Sequence, residues 1–143
     1  MKKLNNKGFS LVELIIVIAI MVILVAVLAP QFTKWIERSR VSTDIQSASE
    51  IATAVQVAVA EGKTITSGTI STLVSNLDSV AVAPKVKSKA AGYTAGGAND
   101  FYVSITEDAT TKAVTIKVYG GTTAADAKEL FPNLGSDIEP YTK

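Results

Sequence analysis

From Leu14 to Ala29 every residue is apolar. Phe9 to Val12, just before, are mostly apolar too, and one carboxylate, Glu13, stands between the two stretches. Taken as a helix at ~1.5 Å per residue, Phe9 to Ala29 spans about 31 Å, close to the hydrocarbon thickness of a bilayer. Beyond Ala29 the pattern becomes one-sided. Phe32, Trp35, Ile36, Ile45, Ala48, Ile51, Ala52, Val55 and Val59 recur at three- and four-residue steps with polar residues between them. Gly62, after Glu61, occupies a natural C-cap position. Pro30 removes one helical hydrogen bond and clashes with the carbonyl four residues earlier, which predicts a bend near Leu24 to Pro30 and no stop. No Gly occurs between Phe9 and Gly62. Met21 to Leu28 is therefore predicted helical, favoured by about 1 kcal/mol over a sequence with one Gly there. β-branched Val22, Ile23, Val25 and Val27 offset part of this. The pattern predicts one long helix from about Phe9 to Glu61, apolar all round in its first half. Its second half has a single apolar face that needs a partner.

The rest of the chain must supply that partner. Ser71 to Leu77 has a short helical pattern, and Ser79 to Val86 alternates weakly like a strand, with Pro84 restricting it to an edge or an end. Ser88 to Asp100 is rich in Gly and Ala and reads as a loop. Phe101, Val103 and Ile105 share one face of a strand, as do Val114, Ile116 and Val118. The polar, turn-like stretch Glu107 to Lys112 makes the two a hairpin with one buried face. Gly120-Gly121 ends it. Thr123 can cap a short helix over Ala124 to Phe131, with Pro132 after it. The fold class predicted is α+β: a long N-terminal helix, the stem, packed in its second half against a small antiparallel sheet that forms the head. Four parts follow: 1–8, short and basic; 9–30, apolar helix; 31–62, the amphipathic half of the same helix; and 63–143, a small globular head with a hairpin and a short C-terminal helix.

Composition narrows the chemistry. The 143 residues include no Cys and no His. That removes disulfides, thiolate metal sites and the usual general base, so an enzyme is not expected. The net charge of +1 becomes −2 once Lys2, Lys3 and Lys7 are set aside. Neither value has the strongly basic character of a nucleic-acid-binding domain, which argues against nucleic acid as a partner.

A carboxylate within a membrane segment costs roughly 2.5–3.5 kcal/mol, so Glu13 is a functional candidate. Lys7-Gly8-Phe9-Ser10-Leu11-Val12-Glu13, a basic leader ending in Gly and then an apolar run, resembles the N-terminus of type IV prepilins and type II secretion pseudopilins. The resemblance spans about the first 60 residues and leaves the head unmatched. It implies a pilin fold and cleavage after Gly8 by prepilin peptidase, with N-methylation of Phe9. It also implies a single-pass precursor in the cytoplasmic membrane, leader inside, that later joins an extracellular filament. The orientation comes from the resemblance, because the charges flanking the helix balance: Lys2, Lys3 and Lys7 on one side, Lys34, Arg38 and Arg40 on the other. Implied partners are other copies of the chain, the peptidase, the assembly platform with its ATPase, and lipid before assembly. Glu13 would pair in assembly with the α-amine of a neighbour's Phe9. The function implied is a pilus subunit for adhesion or motility, with a pseudopilin of a secretion or DNA-uptake machine as the alternative.

Competing readings are weaker. An ordinary signal peptide has an apolar core of about 7–15 residues, shorter than this one, and Pro30 would follow its cut. A plain membrane anchor explains the length but neither Gly8-Phe9 nor Glu13. Asp78, Asp100, Asp108, Asp126 and Asp137 follow no known calcium-loop spacing, so no metal site or cofactor is expected. Lys85, Lys87 and Lys89, with Tyr93 nearby, read first as an edge strand blunted by lysines and second as a DNA-contacting patch.

Overall fold

The computed structural model describes residues 9–80, 82–93, 97, 99–111, 113–122, 128–135 and 138. Two compact units divide the chain, one up to Trp35 and the other from Ile36 onward. Helix α1, Leu11–Ala60, runs through both as one element of 50 residues that includes Met21 to Leu28 and Pro30.

In the first unit the large apolar side chains from Leu14 to Leu28 all stand exposed. Every face of this part is apolar, so burying it takes an apolar surrounding on every side. Pro30 has no N–H for the carbonyl of Ala26. One turn on, the Thr33 hydroxyl donates to the Pro30 carbonyl at 2.9 Å.

In the second unit the buried positions of α1 are Val41, Asp44, Ala48, Ile51, Ala52, Ala54, Val55 and Ala58. This is the one-sided stripe expected from the sequence, rotated slightly. Ile45 and Val59 lie at its rim, and Phe32 and Trp35 are exposed. The helix ends in a Schellman motif: Lys63 N–H donates to the Ala58 carbonyl and Gly62 N–H to that of Val59, both at 3.0 Å. Gly62 has φ 81°, which an L side chain adopts only with strain.

Among the described residues four strands form one antiparallel sheet in sequence order: β1, Gly68–Thr69; β2, Phe101–Glu107; β3, Val114–Gly120; and β4, Lys128–Phe131. The predicted hairpin is β2–β3, with Val103 opposite Val118 and Ile105 opposite Ile116. Phe101, Val103, Ile116, Val118 and Leu130 join the α1 stripe in one core. Strand β1 is short, and Ser67 extends its pairing, its Oγ accepting from Ile105 N–H at 2.8 Å. The predicted helix near Ser71 to Leu77 is present as α2, Ile70–Leu73, and a 3-10 turn, Val74–Asn76.

Two expectations are corrected. The helix expected over Ala124 to Phe131 is not one at its end, because Lys128–Phe131 is β4; residues 123–127 lie outside those described. The open edge of β3 supplies backbone partners that outweigh local helix propensity, and Leu130 turns into the core. Nor is Ser79 to Val86 a strand: its described residues form turns, a bend and irregular backbone. Pro84 has no N–H to give a ladder, and the amides that follow are taken by side chains of α1.

Gly120 marks the closest approach in the head. A Cβ there would fall 2.0 Å from the Ala91 carbonyl oxygen, so the end of β3 and residues 91–92 meet backbone to backbone. Gly120→Ala is expected to destabilise the head by about 2 kcal/mol or more through overpacking. Gly62→Ala, with open space around its Cβ, should cost only about 1 kcal/mol, from its positive φ. Urea unfolding of the two variants followed by tryptophan-independent circular dichroism checks the order.

Candidate functional site

At the start of α1 the sequence Ser10-Leu-Val-Glu13 has capping-box spacing. Leu14 N–H donates to the Ser10 carbonyl, the first helical bond, at 3.2 Å. Glu13 Oε2 turns back to accept from Ser10 N–H at 2.9 Å. The carboxylate thus satisfies an amide that the helix itself cannot, where the helix dipole favours negative charge. Phe9 is 87% exposed just ahead of it. Gly8, the other predicted processing residue, lies outside the described residues. The capping spacing is present in the sequence, beside the assembly role that the resemblance implies for Glu13.

The head holds a second constellation. Asp44 is 1% exposed, on the apolar stripe of α1. Its Oδ1 accepts from Lys87 N–H at 2.9 Å and its Oδ2 from Ser88 N–H at 2.7 Å. Two turns earlier on α1, Glu37 Oε1 accepts from Ala90 N–H at 3.2 Å. Ser88 Oγ accepts from Ala91 N–H, Val86 N–H donates to the Asn99 carbonyl, and Tyr93 N–H to that of Ser88. Residues 85–93 therefore form a strap most of whose N–H groups find acceptors without a strand ladder. Its side chains alternate: Val86 and Ser88 are buried, while Lys85, Lys87 and Lys89 face out.

The three lysines differ. Lys85 lies 3.6 Å from Asp100 and donates to Ser71 Oγ at 3.0 Å. Lys87 lines a shallow open cleft of about 290 Å³ with Arg40 and Tyr93. The expected blunted edge strand is absent, since the lysines sit on the strap. For Asp44 and Glu37 the sequence pattern predicts no role, and for Arg40 only that of a charge flanking the apolar helix. The one available signal was an acidic residue at core spacing between Val41 and Ala48.

The aspartates do not converge. Asp78 accepts from Lys63 at 2.6 Å, a bond that, with Glu61 beside it, raises the Lys63 pKa. Asp100 is buried and caps Phe101 N–H. Asp108 Oδ1 accepts from Thr110 and Thr111 N–H at 2.8 Å in the β2–β3 turn, and the Thr111 bond leads in lowering its pKa. A lowered carboxylate pKa stabilises the turn above the ordinary Asp value of 3.8, and that help is lost as pH falls below it. Asp126 and Asp137 lie outside the described residues. Among the described residues no group of three or more acidic side chains is placed to hold a metal ion.

Residues 3–29 match the family model described as the prokaryotic N-terminal methylation motif. The chain is 44% identical over 63 residues to a type IV major fimbrial protein, FimA, of Dichelobacter nodosus, covering 44% of this chain and 40% of that protein. It is 43% identical over 62 residues to a fimbrial protein of Pseudomonas aeruginosa, and 43% identical over 59 residues to fimbrial protein Q of Moraxella bovis. These matches cover 43% and 41% of this chain and 40% and 38% of those proteins. The chain thus spans about 40% of the length of the curated relatives it matches. No solved structure matches it. Helix α1 is long and apolar enough to cross a membrane.

Asp44→Ala leaves two strap amides buried without an acceptor. We expect a loss of about 3 kcal/mol in head stability. Amide exchange at Lys87 and Ser88 should quicken well ahead of exchange in β2 and β3. Protection unchanged at these two amides would show that the carboxylate does not hold the strap.

Proposed function

We propose that this chain, whose stem is that of the type IV pilin family, is a structural subunit of a type IV pilus. The observation that carries the proposal is the carboxylate of Glu13 at the head of a fully exposed apolar helix, inside a matched methylation motif. In this reading residues 1–8 are a leader cut after Gly8, Phe9 becomes the methylated N-terminus, and 9–30 lie first in lipid and then in the filament core. Residues 31–62 carry the helix into the head, and Pro30 bends it. The fimbrial names of the relatives support a pilin subunit, and a structural subunit over an enzyme.

The physical logic of assembly rests on Glu13. In lipid its carboxylate is desolvated, and the capping bond to Ser10 N–H engages only one of its oxygens. A neighbour's α-amine at Phe9 supplies the missing positive charge. Such a pair contributes little net stability, because desolvation offsets the attraction. Leaving either charge alone costs about 3–5 kcal/mol, so a subunit docked out of register is penalised. The pair therefore selects register, and the apolar surface supplies the packing.

Two outcomes are expected. Replacing Gly8 with a bulky residue blocks maturation, and mass spectrometry of wild-type filaments shows a chain beginning at N-methyl Phe9; surface filaments retaining Met1 to Gly8 would falsify the processing role. Glu13→Ala leaves cleavage intact by gel shift and lowers surface filaments at least tenfold by microscopy. Abundant normal filaments from that variant would make Glu13 only a helix cap.

A further inference from the structure

We propose that Phe32, Lys34 and Trp35 form a collar that seats the precursor at a fixed depth in a phospholipid bilayer, with the indole and the ammonium in the headgroup layer of the outer leaflet. The inference deepens the membrane-precursor reading and rests on it. Aromatic residues mark both ends of the apolar part of α1 and are missing between them. Phe9 is 87% exposed at one end, and Phe32 and Trp35 are 66% and 68% exposed at the other. From Ser10 to Gln31 there is no Phe, Tyr or Trp. Phe9 and Phe32 stand 23 positions apart in the chain. At the helical rise that is about 35 Å. Bilayer hydrocarbon is about 30 Å thick, and about 40–45 Å with its polar layers. Both rings therefore fall just outside the hydrocarbon, where aromatic side chains concentrate.

Folding leaves these rings without cover. Phe101 is fully buried in the head and Phe131 packs against the same core, whereas Phe32 and Trp35 stay exposed. The two stand three residues apart, as neighbours on the helix surface. An indole has an apolar body and one N–H donor, which suits a layer where acyl chains meet ester carbonyls and phosphates. Lys34 lies between the rings in the chain, and among the described residues it makes no ion pair. Its alkyl stem can lie along apolar surface while the ammonium reaches outward to lipid phosphate. Thr33 turns its hydroxyl back onto the Pro30 carbonyl and needs no partner from lipid. A collar held at the outer boundary also sets the far end of the helix. Glu13 stands 22 positions before Trp35. That is about 33 Å along the helix, which brings its carboxylate to the inner edge of the hydrocarbon.

The test uses the full chain reconstituted in vesicles of phosphatidylethanolamine and phosphatidylglycerol whose acyl chains carry bromine either near the ester or near the methyl end. Trp35 is the one tryptophan of the chain, so its fluorescence reports the collar alone. Ala19→Cys, in a chain with no other cysteine, carries a bimane label at the middle of the span. Bromine near the ester is expected to quench Trp35 about threefold more than bromine near the methyl end, and the label at position 19 shows the reverse order. Trp35→Ala should lower methyl-end quenching of that label about twofold, because the helix loses its fixed depth. Tyr93→Ala removes an exposed ring from the head and should leave that quenching unchanged. A label quenched at mid-span beside a Trp35 that neither bromine reaches, as in water or against a second copy, overturns the collar and leaves the membrane reading standing. Trp35 quenched best from the methyl end, or an unchanged label depth in Trp35→Ala, also overturns the collar alone. A label that no bromine quenches overturns both the collar and the membrane reading.

Discussion

The head depends on one buried carboxylate. Asp44 occupies a position where the helical stripe calls for an apolar residue, and a lone ion there would be costly. Three short bonds from the Lys87 and Ser88 amides compensate it. The same bonds resolve a second difficulty, since a segment without sheet partners has packed against the core and its amides need acceptors. Neither the helix nor the strap is satisfied alone. The strap, in turn, seats Ala91 and Gly92 against the end of β3, where only a glycine at 120 leaves room. Helix, strap and sheet are therefore linked through two contacts that tolerate little substitution.

The first part of α1, from Leu11 to Ala29, obeys a different rule. Its side chains are apolar on every face, and its backbone bonds are made within the helix, as a segment in hydrocarbon requires. Only its first turn carries a charge, and there the carboxylate and the helix satisfy each other. In the proposed pilus role, this is how a residue that is expensive in lipid is tolerated at position 13 and still available to another chain.

Much of this was legible in the sequence because the signals were periodic. The long helix, its Gly62 terminus and the β2–β3 hairpin follow from spacing alone. What stayed hidden lacked local signals. The strand at Lys128–Phe131 exists because β3 offers it an edge, which no window around those four residues reveals. The alternation from Lys85 to Lys89 was visible, but a strap on acidic side chains and an edge strand alternate in the same way. The partner of Lys87 lies 43 residues earlier in the chain. The capping bond at Ser10 is the opposite case, a local signal carried by the three-residue spacing of Ser10 and Glu13.

That separation of 43 residues bears on the order of events as the head folds. The β2–β3 hairpin closes a turn of a few residues, and such elements form in about 1–10 μs. The strap must instead meet α1 across a long loop, whose closure costs chain entropy before any bond rewards it. Its three amide bonds converge on one carboxylate and so form nearly together. The strap is then expected to close as a latch after the hairpin, and the same latch should open early when the protein breathes.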